Sequence, residues 1–381
     1  VRIVLDARYI ARRQSGVGAY TQRLIGALAA LDRTNRYTCL VAAGGPGLPV
    51  RQPNVRPWPT RVSFEDHVRG DLWLLAYLPL RLRAHRTDVY HGPAVFLPHV
   101  KLGFRTVVTI HDLVSFLFPE TVPRRYSLYM RLMTRLAVRS ADRVIAVSEA
   151  TRRDLQRMLG VAAAKIVVIP EAVGPEFTAP LLPESVAVVT RRYGLRPPYC
   201  LFVGNLEPRK NLARLIEAFA RLRRRRPASG AVAPQLALVG TRAWLHGGVL
   251  RAVEAHGVAD AVVFTGYVPI EDLPALYAGA ACFAFPSLYE GFGLPILEAM
   301  AAGAPVIAAR AGSIPEVAGD AAILVDPRDP AALAAAMEAV LGDAALRERL
   351  VARGRERAAA FSWDAVARQT LAIYEAVHRT R

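Results

Sequence analysis

Short runs rich in Val and Ile alternate with longer amphipathic stretches along the whole chain, and this rhythm limits the fold more than any other feature. Residues 1–5, 37–42, 106–110, 143–147 and 166–169 read as buried parallel strands, with helices expected over 17–31, 123–141 and 149–159. The rhythm restarts at 199–203 and continues through 236–239, 262–265, 282–285, 306–308 and 323–325. An α/β chain is expected, with two Rossmann-like doubly wound domains facing across a cleft. Between the halves, Pro175, Pro180, Pro183, Pro197 and Pro198 crowd a stretch without strand signal. The expected layout is an N-terminal domain over 1–177, a linker over 178–198 and a second domain over 199–361. A last helix over 362–381, with Ser362 as N-cap, crosses back towards the first domain.

Ligands of open parallel sheets sit beyond the C-terminal strand ends, so the loops after strands are where chemistry is expected. The sharpest motif there runs from Glu290 through Gly291, Phe292, Gly293, Leu294 and Pro295 to Glu298. Its glycines admit a close ligand, Pro295 suits a first helical turn, and the free N–H groups form an anion site strengthened by the helix dipole. Two acids flanking an anion site fit a ligand with hydroxyls on both sides of its phosphates. The plain alternative is one loop acid and one acid serving the helix dipole.

A second loop, 204–212, carries Gly204, Arg209 and Lys210. A leaving diphosphate needs about two positive charges, with Arg gripping bidentately and Lys acting as a point charge. A solvated basic helix start is the alternative reading. Gly16 and Gly18 form a short glycine loop after Ser15, but Thr21 occupies the third glycine position of the dinucleotide pattern. His111-Asp112 follows the 106–110 strand; such a pair can bind a hydroxyl, act as acid or base, ligate a metal, or serve structure only.

Charge is a weaker guide. Forty-nine basic against 32 acidic residues give a net charge of +17, which favours anionic ligands. Only Lys101, Lys165 and Lys210 are lysines, so the arginine surplus reads partly as compositional background. No zinc-finger spacing or RNA-recognition motif accompanies it, and no nucleic-acid partner is expected. Cys39, Cys200 and Cys282 each fall in apolar runs and read as buried thiols in a reducing cytoplasm. The opening residues 1–6 read as a strand, so no leader is expected, and the longest uncharged stretch, 273–289, is broken by Pro274, Gly279 and Pro286, which speaks against a membrane span.

Taken in order, the Ser15–Gly18 loop, His111-Asp112, Val147-Ser148-Glu149, the 204–212 loop, Gly266-Tyr267-Val268 and Glu290-x7-Glu298 resemble family 4 of the retaining, GT-B-fold glycosyltransferases. The resemblance spans nearly the whole chain. It implies that Glu298 holds ribose hydroxyls and Glu290 the donor hexose, with Gly291, Phe292, Gly293 and Leu294 offering amides. It further implies that Arg209 and Lys210 bind diphosphate and that Gly16 lets the first domain close over the donor. His111 would approach the transferred sugar, and Tyr267 and Val268 would line the base pocket. On this reading His111, Glu290, Arg209 and Lys210 are the catalytic set.

The sequence departs from the family at Pro170-Glu171-Ala172-Val173, where Pro-Asn-Gly-Val is common. No Asp-x-Asp stands at a strand end, so neither metal nor other cofactor is expected. Two routes to retention stay open, a same-face reaction and a double displacement. Trp244, four residues after Gly240, resembles the mannosyltransferase branch, whose donor is GDP-mannose among GDP- and UDP-sugars; a plain packing tryptophan is the alternative reading. The acceptor is expected to be a glycan or lipid-linked glycan. Arg131, Arg135 and Arg139, together with 72–75 and Arg81, Arg83 and Arg86, are either plain solvated faces or candidates for peripheral contact with an anionic membrane at its cytoplasmic face. A GT-B epimerase or phosphorylase, or a non-catalytic nucleotide-sugar binder, are the rival readings.

Overall fold

The computed structural model describes residues 1–11, 16–42, 44–62, 70, 72–225, 232–241 and 247–380. The chain divides into two compact units. One comprises Val1–Phe116, Arg125–Glu171 and Ser362–Arg381; the other comprises Leu117–Arg124 and Ala172–Phe361.

The first unit is built on seven parallel strands: β1 (Arg2–Asp6), β2 (Arg36–Ala42), β3 (Val55–Thr60), β4 (Val89–Gly92), β5 (Arg105–Ile110), β6 (Arg143–Ala146) and β7 (Ile166–Val168). Their order is β3-β2-β1-β4-β5-β6-β7, so the direction of winding reverses between β1 and β4. β3 and β4 have no counterpart among the expected strands. β3 contains Pro57 and Pro59, which lack the N–H of a ladder, and it survives because it is an edge strand paired only to β2. β4 is only Val89-Tyr90-His91-Gly92, too short and polar to stand out, yet all four residues are buried between β1 and β5.

The helix Trp363–Arg379 belongs to this unit and packs on helix Gly16–Leu31. Ser362 caps it by accepting from the Ala365 N–H at 3.2 Å. Tyr374 anchors it to the sheet through a 2.6 Å hydrogen bond to His91 Nδ1. The other ring nitrogen of His91 lies 2.9 Å from Thr109 Oγ1, and burial pushes this imidazole down to about 3.

The second unit carries β8 (Tyr199–Val203), β9 (Gln235–Val239), β10 (Val262–Gly266), β11 (Cys282–Phe285), β12 (Val306–Ala309) and β13 (Ala322–Val325), all parallel. Their order, β10-β9-β8-β11-β12-β13, places the winding switch between β8 and β11. Both strands are fully buried along their length, which explains their unbroken apolar sequences. The stretch read as a linker, 178–198, is part of this unit and contains helix Pro183–Arg192. Pro183 opens that helix, where a missing N–H costs nothing.

The three cysteines are free and buried. Among the described residues no helix is long and apolar enough to cross a membrane.

Candidate active site

In the second sheet, the loops after β8 and β11 lie on either side of the winding switch, where doubly wound sheets open a crevice. The loop after β8 leaves through Gly204, and Gly240 directly follows its neighbour β9. A Cβ added at Gly240 would lie 2.1 Å from the Gly204 carbonyl oxygen, so the two backbones pass at a distance only glycine allows. The loop then makes one turn of 3-10 helix, Pro208–Lys210, and passes through Asn211 in the left-handed region (φ +61°). Asn211 Nδ2 donates to the carbonyls of Pro286 (3.1 Å) and Pro327 (2.6 Å), and the Leu288 N–H donates to the Arg209 carbonyl (2.9 Å). These bonds latch the basic loop to the loop after β11.

Arg209 and Lys210 meet Glu290 across that latch. Arg209 Nη1 lies 2.7 Å from Glu290 Oε2, and Lys210 Nζ lies 2.7 Å from Glu290 Oε1. Arg209 also donates to Glu207 Oε1 at 2.6 Å and to the Tyr289 carbonyl at 2.7 Å. The ammonium of Lys210 rests 5.1 Å from the centre of the Phe285 ring. Two cations and two carboxylates thus neutralise one another in a largely buried cluster, their side chains 9–14% exposed. Burial alone would raise the Glu290 carboxyl, but the charges of Arg209 and Lys210 overcome it and hold it down at about 2. Burial and the neighbouring Arg209 charge push the Lys210 ammonium below the usual lysine range. The cations expected for diphosphate are therefore paired with carboxylates in this structure.

Beyond Glu290 the chain runs through Gly291 and the buried Phe292 to Gly293, whose φ of +105° caps helix Leu294–Ala302. No side chain caps that helix, and Pro295 occupies its first turn. Two residues absent from the sequence reading shape this turn. Ser313 Oγ, fully buried, lies 2.6 Å from the Phe292 carbonyl and 3.0 Å from the Glu290 carbonyl. Gly312, at φ +55°, backs directly onto Glu290: a Cβ there would come 2.6 Å from the Glu290 carbonyl oxygen. Nothing in the local spelling Ala311-Gly312-Ser313 signals this role.

Glu298 faces a partner rather than open space. Tyr277, itself fully buried, donates its hydroxyl to Glu298 Oε2 at 3.0 Å. Burial, then the Glu298 charge, pushes the Tyr277 phenol well above its ordinary range. Tyr267 follows β10 and is 42% exposed, whereas Val268 is buried. Trp244 lies outside the described residues.

In the first unit, three strand ends converge on His111. Its Nδ1 lies 2.7 Å from Glu171 Oε1, after β7, and its Nε2 lies 2.8 Å from the carbonyl of Pro93, after β4. Tyr20 packs edge-on at 4.8 Å between ring centres. Burial works to lower the His111 imidazolium, but the Glu171 carboxylate, the Pro93 carbonyl and Asp112 leave it raised above the usual histidine range. Asp112 also caps the short helix Val114–Leu117 by accepting from the Val114 N–H at 3.1 Å. Gly16 opens helix Gly16–Leu31, and a Cβ there would meet nothing within 4 Å; Ser15 before it lies outside the described residues.

At the winding switch of this sheet sits a buried ion pair that sequence reasoning missed. Arg8 Nη2 is 2.6 Å from Asp6 Oδ2, which also accepts from Tyr90 at 3.1 Å, and Arg8 lies 4.7 Å from the Trp73 ring centre. Of the basic stripe, Arg131 and Arg135 fold over the Phe116 ring at 5.4 and 5.0 Å.

These loops belong to a known pattern. The family described as Glycosyltransferase Family 4 matches residues 14–177, and that described as Glycosyl transferases group 1 matches residues 192–357. The O-antigen chain mannosyltransferase B of Escherichia coli is 37% identical over 310 residues, covering 81% of this chain and 78% of that protein. The chain belongs to the GT-B glycosyltransferases of the family 4 and group 1 superfamily. It is a glycosyltransferase. The serotype-specific mannosyltransferase WbdA of Escherichia coli is 32% identical over 278 residues, 71% of this chain, and this glycosyltransferase spans about a third (33%) of its length. Sucrose-phosphate synthase from Thermosynechococcus elongatus shares the fold over 100% of this chain and 99% of its own, with a TM-score of 0.78 at 22% identity. Among the described residues no group of three or more His, Cys, Asp or Glu side chains is arranged to hold a metal ion.

Proposed function

We propose that this glycosyltransferase moves a mannosyl residue from GDP-mannose, with retention at the anomeric carbon, to a hydroxyl of a glycan or lipid-linked glycan. The observation that carries the reading is the Arg209–Lys210–Glu290 cluster at the winding switch, next to the uncapped start of helix Leu294–Ala302. A diphosphate entering there offers Arg209 and Lys210 oxygens in place of the Glu290 carboxylate. Glu290, so released, accepts hydrogen bonds from hexose hydroxyls, and the N–H groups of 291–294 face the remaining oxygens. Glu298, oriented by Tyr277, accepts from ribose hydroxyls, and Tyr267 and Val268 border the base. Gly16 and His111 belong to the same machinery in the first unit.

In the same-face reaction, the bond from C1 to the leaving phosphate oxygen breaks as the acceptor oxygen bonds C1. The acceptor proton passes to that phosphate oxygen. The charge gathering on the diphosphate is met by Arg209, Lys210 and the helix start. No metal or other cofactor enters this scheme. Mannose as the sugar is supported by the names of the curated relatives, both mannosyltransferases. A peripheral stance at the cytoplasmic face of a membrane is supported by exposed Leu72, Tyr77 and Leu80 beside Arg81 and Arg83, and by exposed Leu128 and Leu132.

The test is a donor screen with GDP-mannose, GDP-glucose, UDP-glucose and ADP-glucose against mannose-terminated oligosaccharides, with product anomers assigned by NMR. Transfer from GDP-mannose giving an α-linked product, and loss of at least 100-fold in Arg209→Ala, is expected (on the order of 3 kcal/mol of transition-state stabilisation). Preference for a glucosyl donor would overturn the mannosyl assignment. An unaffected Arg209→Ala would overturn the role of the cluster.

A further inference from the structure

The departure from the family pattern at Glu171 has a partner in space. Sixty residues separate Glu171 from His111, yet the carboxylate sits 2.7 Å from Nδ1, in a side chain only 9% exposed. The second ring nitrogen faces a backbone carbonyl, that of Pro93, at 2.8 Å. A carbonyl only accepts, and so does an ionised carboxylate. Two acceptors at hydrogen-bond distance demand hydrogens on both sides of the ring. The ring is then an imidazolium beside Glu171 carboxylate, or the pair shares one proton with Glu171 holding it. In both arrangements Nε2 carries a hydrogen.

Resting on the functional reading above, we propose that Glu171 is a positioning residue that commits His111 to donating through Nε2–H at the end of β5, and so keeps that nitrogen from acting as a base. A substrate oxygen can replace the Pro93 carbonyl at Nε2–H without any change of tautomer, because Nδ1 stays committed to Glu171. An asparagine at this position, as the family commonly has, leaves the ring free to choose either tautomer or to lose its charge.

The other ionisable groups around the ring are few. Asp112 follows it in the chain and favours the charged form. Tyr20 packs edge-on and is bonded to Thr109 at 3.2 Å, with its phenol raised by burial. His91, held neutral by its burial, is the only neighbouring group among those described whose charge would oppose that of His111. Glu171 alone among these groups bonds the ring directly, so its removal is the perturbation that discriminates.

The experiment titrates His111 by NMR with histidine-selective labelling of the full chain, in the parent protein and in Glu171→Gln, Glu171→Asn and Glu171→Asp, with His111→Phe for assignment. In the parent, His111 is expected to titrate above the ordinary histidine value of about 6.5, falling by about one unit or more in the Gln and Asn variants and staying close to the parent in Asp. The alkaline limb of kcat/KM with GDP-mannose should move to lower pH by the same interval. At the pH of the parent's plateau edge that amounts to about a tenfold loss, recovered on acidification and in Glu171→Asp. An unchanged His111 titration in well-folded Glu171→Gln overturns the pairing. A shifted titration with an unmoved rate profile overturns the role of the pair in transfer. Absence of transfer from any nucleotide sugar overturns the functional reading instead, and the titration still decides the pair.

Discussion

Glu290 offers a quantitative check on the buried charge cluster. Its carboxyl is held at about 2 in the folded chain, against an ordinary value of 4.5. Two and a half units correspond to about 3 kcal/mol of stability at neutral pH, since each unit is worth about 1.36 kcal/mol. Because the folded value is depressed, that contribution is complete above about pH 4.5 and disappears as pH falls through about 2. Glu290→Gln keeps the shape of the side chain and leaves Arg209 and Lys210 without their shared carboxylate, while Glu207 stays paired to Arg209. Urea unfolding at pH 7 should therefore show Glu290→Gln less stable than the parent by about 3 kcal/mol, the cost typical of removing one partner from a buried ion pair. At pH 3 the parent has lost about 2 kcal/mol of this advantage, by linkage between the two titration values. The readout is intrinsic fluorescence in urea at both pH values, with Glu207→Gln as an acidic control of the same cluster. An equal gap between parent and Glu290→Gln at pH 7 and pH 3 would refute the claim that the cluster holds Glu290 ionised.

Two further perturbations address other parts of the molecule. Gly312→Ala forces a Cβ to within 2.6 Å of the Glu290 carbonyl oxygen at φ +55°; a loss of about 2 kcal/mol or more in thermal unfolding, with weakened GDP-mannose binding by calorimetry, is expected. His91, pushed down to about 3 by burial, must stay neutral in the folded chain. Its contribution is present above about pH 6.5 and falls by about 2.5 kcal/mol on going to pH 4.5, so His91→Gln should flatten the acid side of the stability profile measured by urea midpoints.

The architecture was legible where burial left an unmixed signature. β8 and β11 are covered on both faces and spell continuous apolar runs, so the crevice beyond them could be located from sequence. β3 was hidden because an edge position tolerates the two prolines that would exclude a central strand, and β4 because four residues including a histidine carry no periodicity. At the site, the motifs identified which loops carry charge but not how the charges pair. Arg209 and Glu290 lie 81 residues apart, and their mutual neutralisation follows from β8 and β11 being neighbours in the sheet. Tyr277 and Ser313 stayed silent because a tyrosine in a helix and a serine after glycine have many ordinary uses. Glu171 was visible as an exception to a pattern, yet its meaning required knowing that the ends of β4, β5 and β7 bring Pro93, His111 and Glu171 to one ring.

The chain quits its first unit after Glu171 and re-enters it only at Ser362, with Tyr374 bonded to His91 under the sheet's own strands. An excised fragment ending at Glu171 would thus lack the piece that seals its interior. It would expose the apolar side of helix Gly16–Leu31 and strip His91 of its phenolic partner. Shortening the carboxyl terminus should accordingly injure the half of the protein synthesised first, and a folding assay following both units separately would register the damage there.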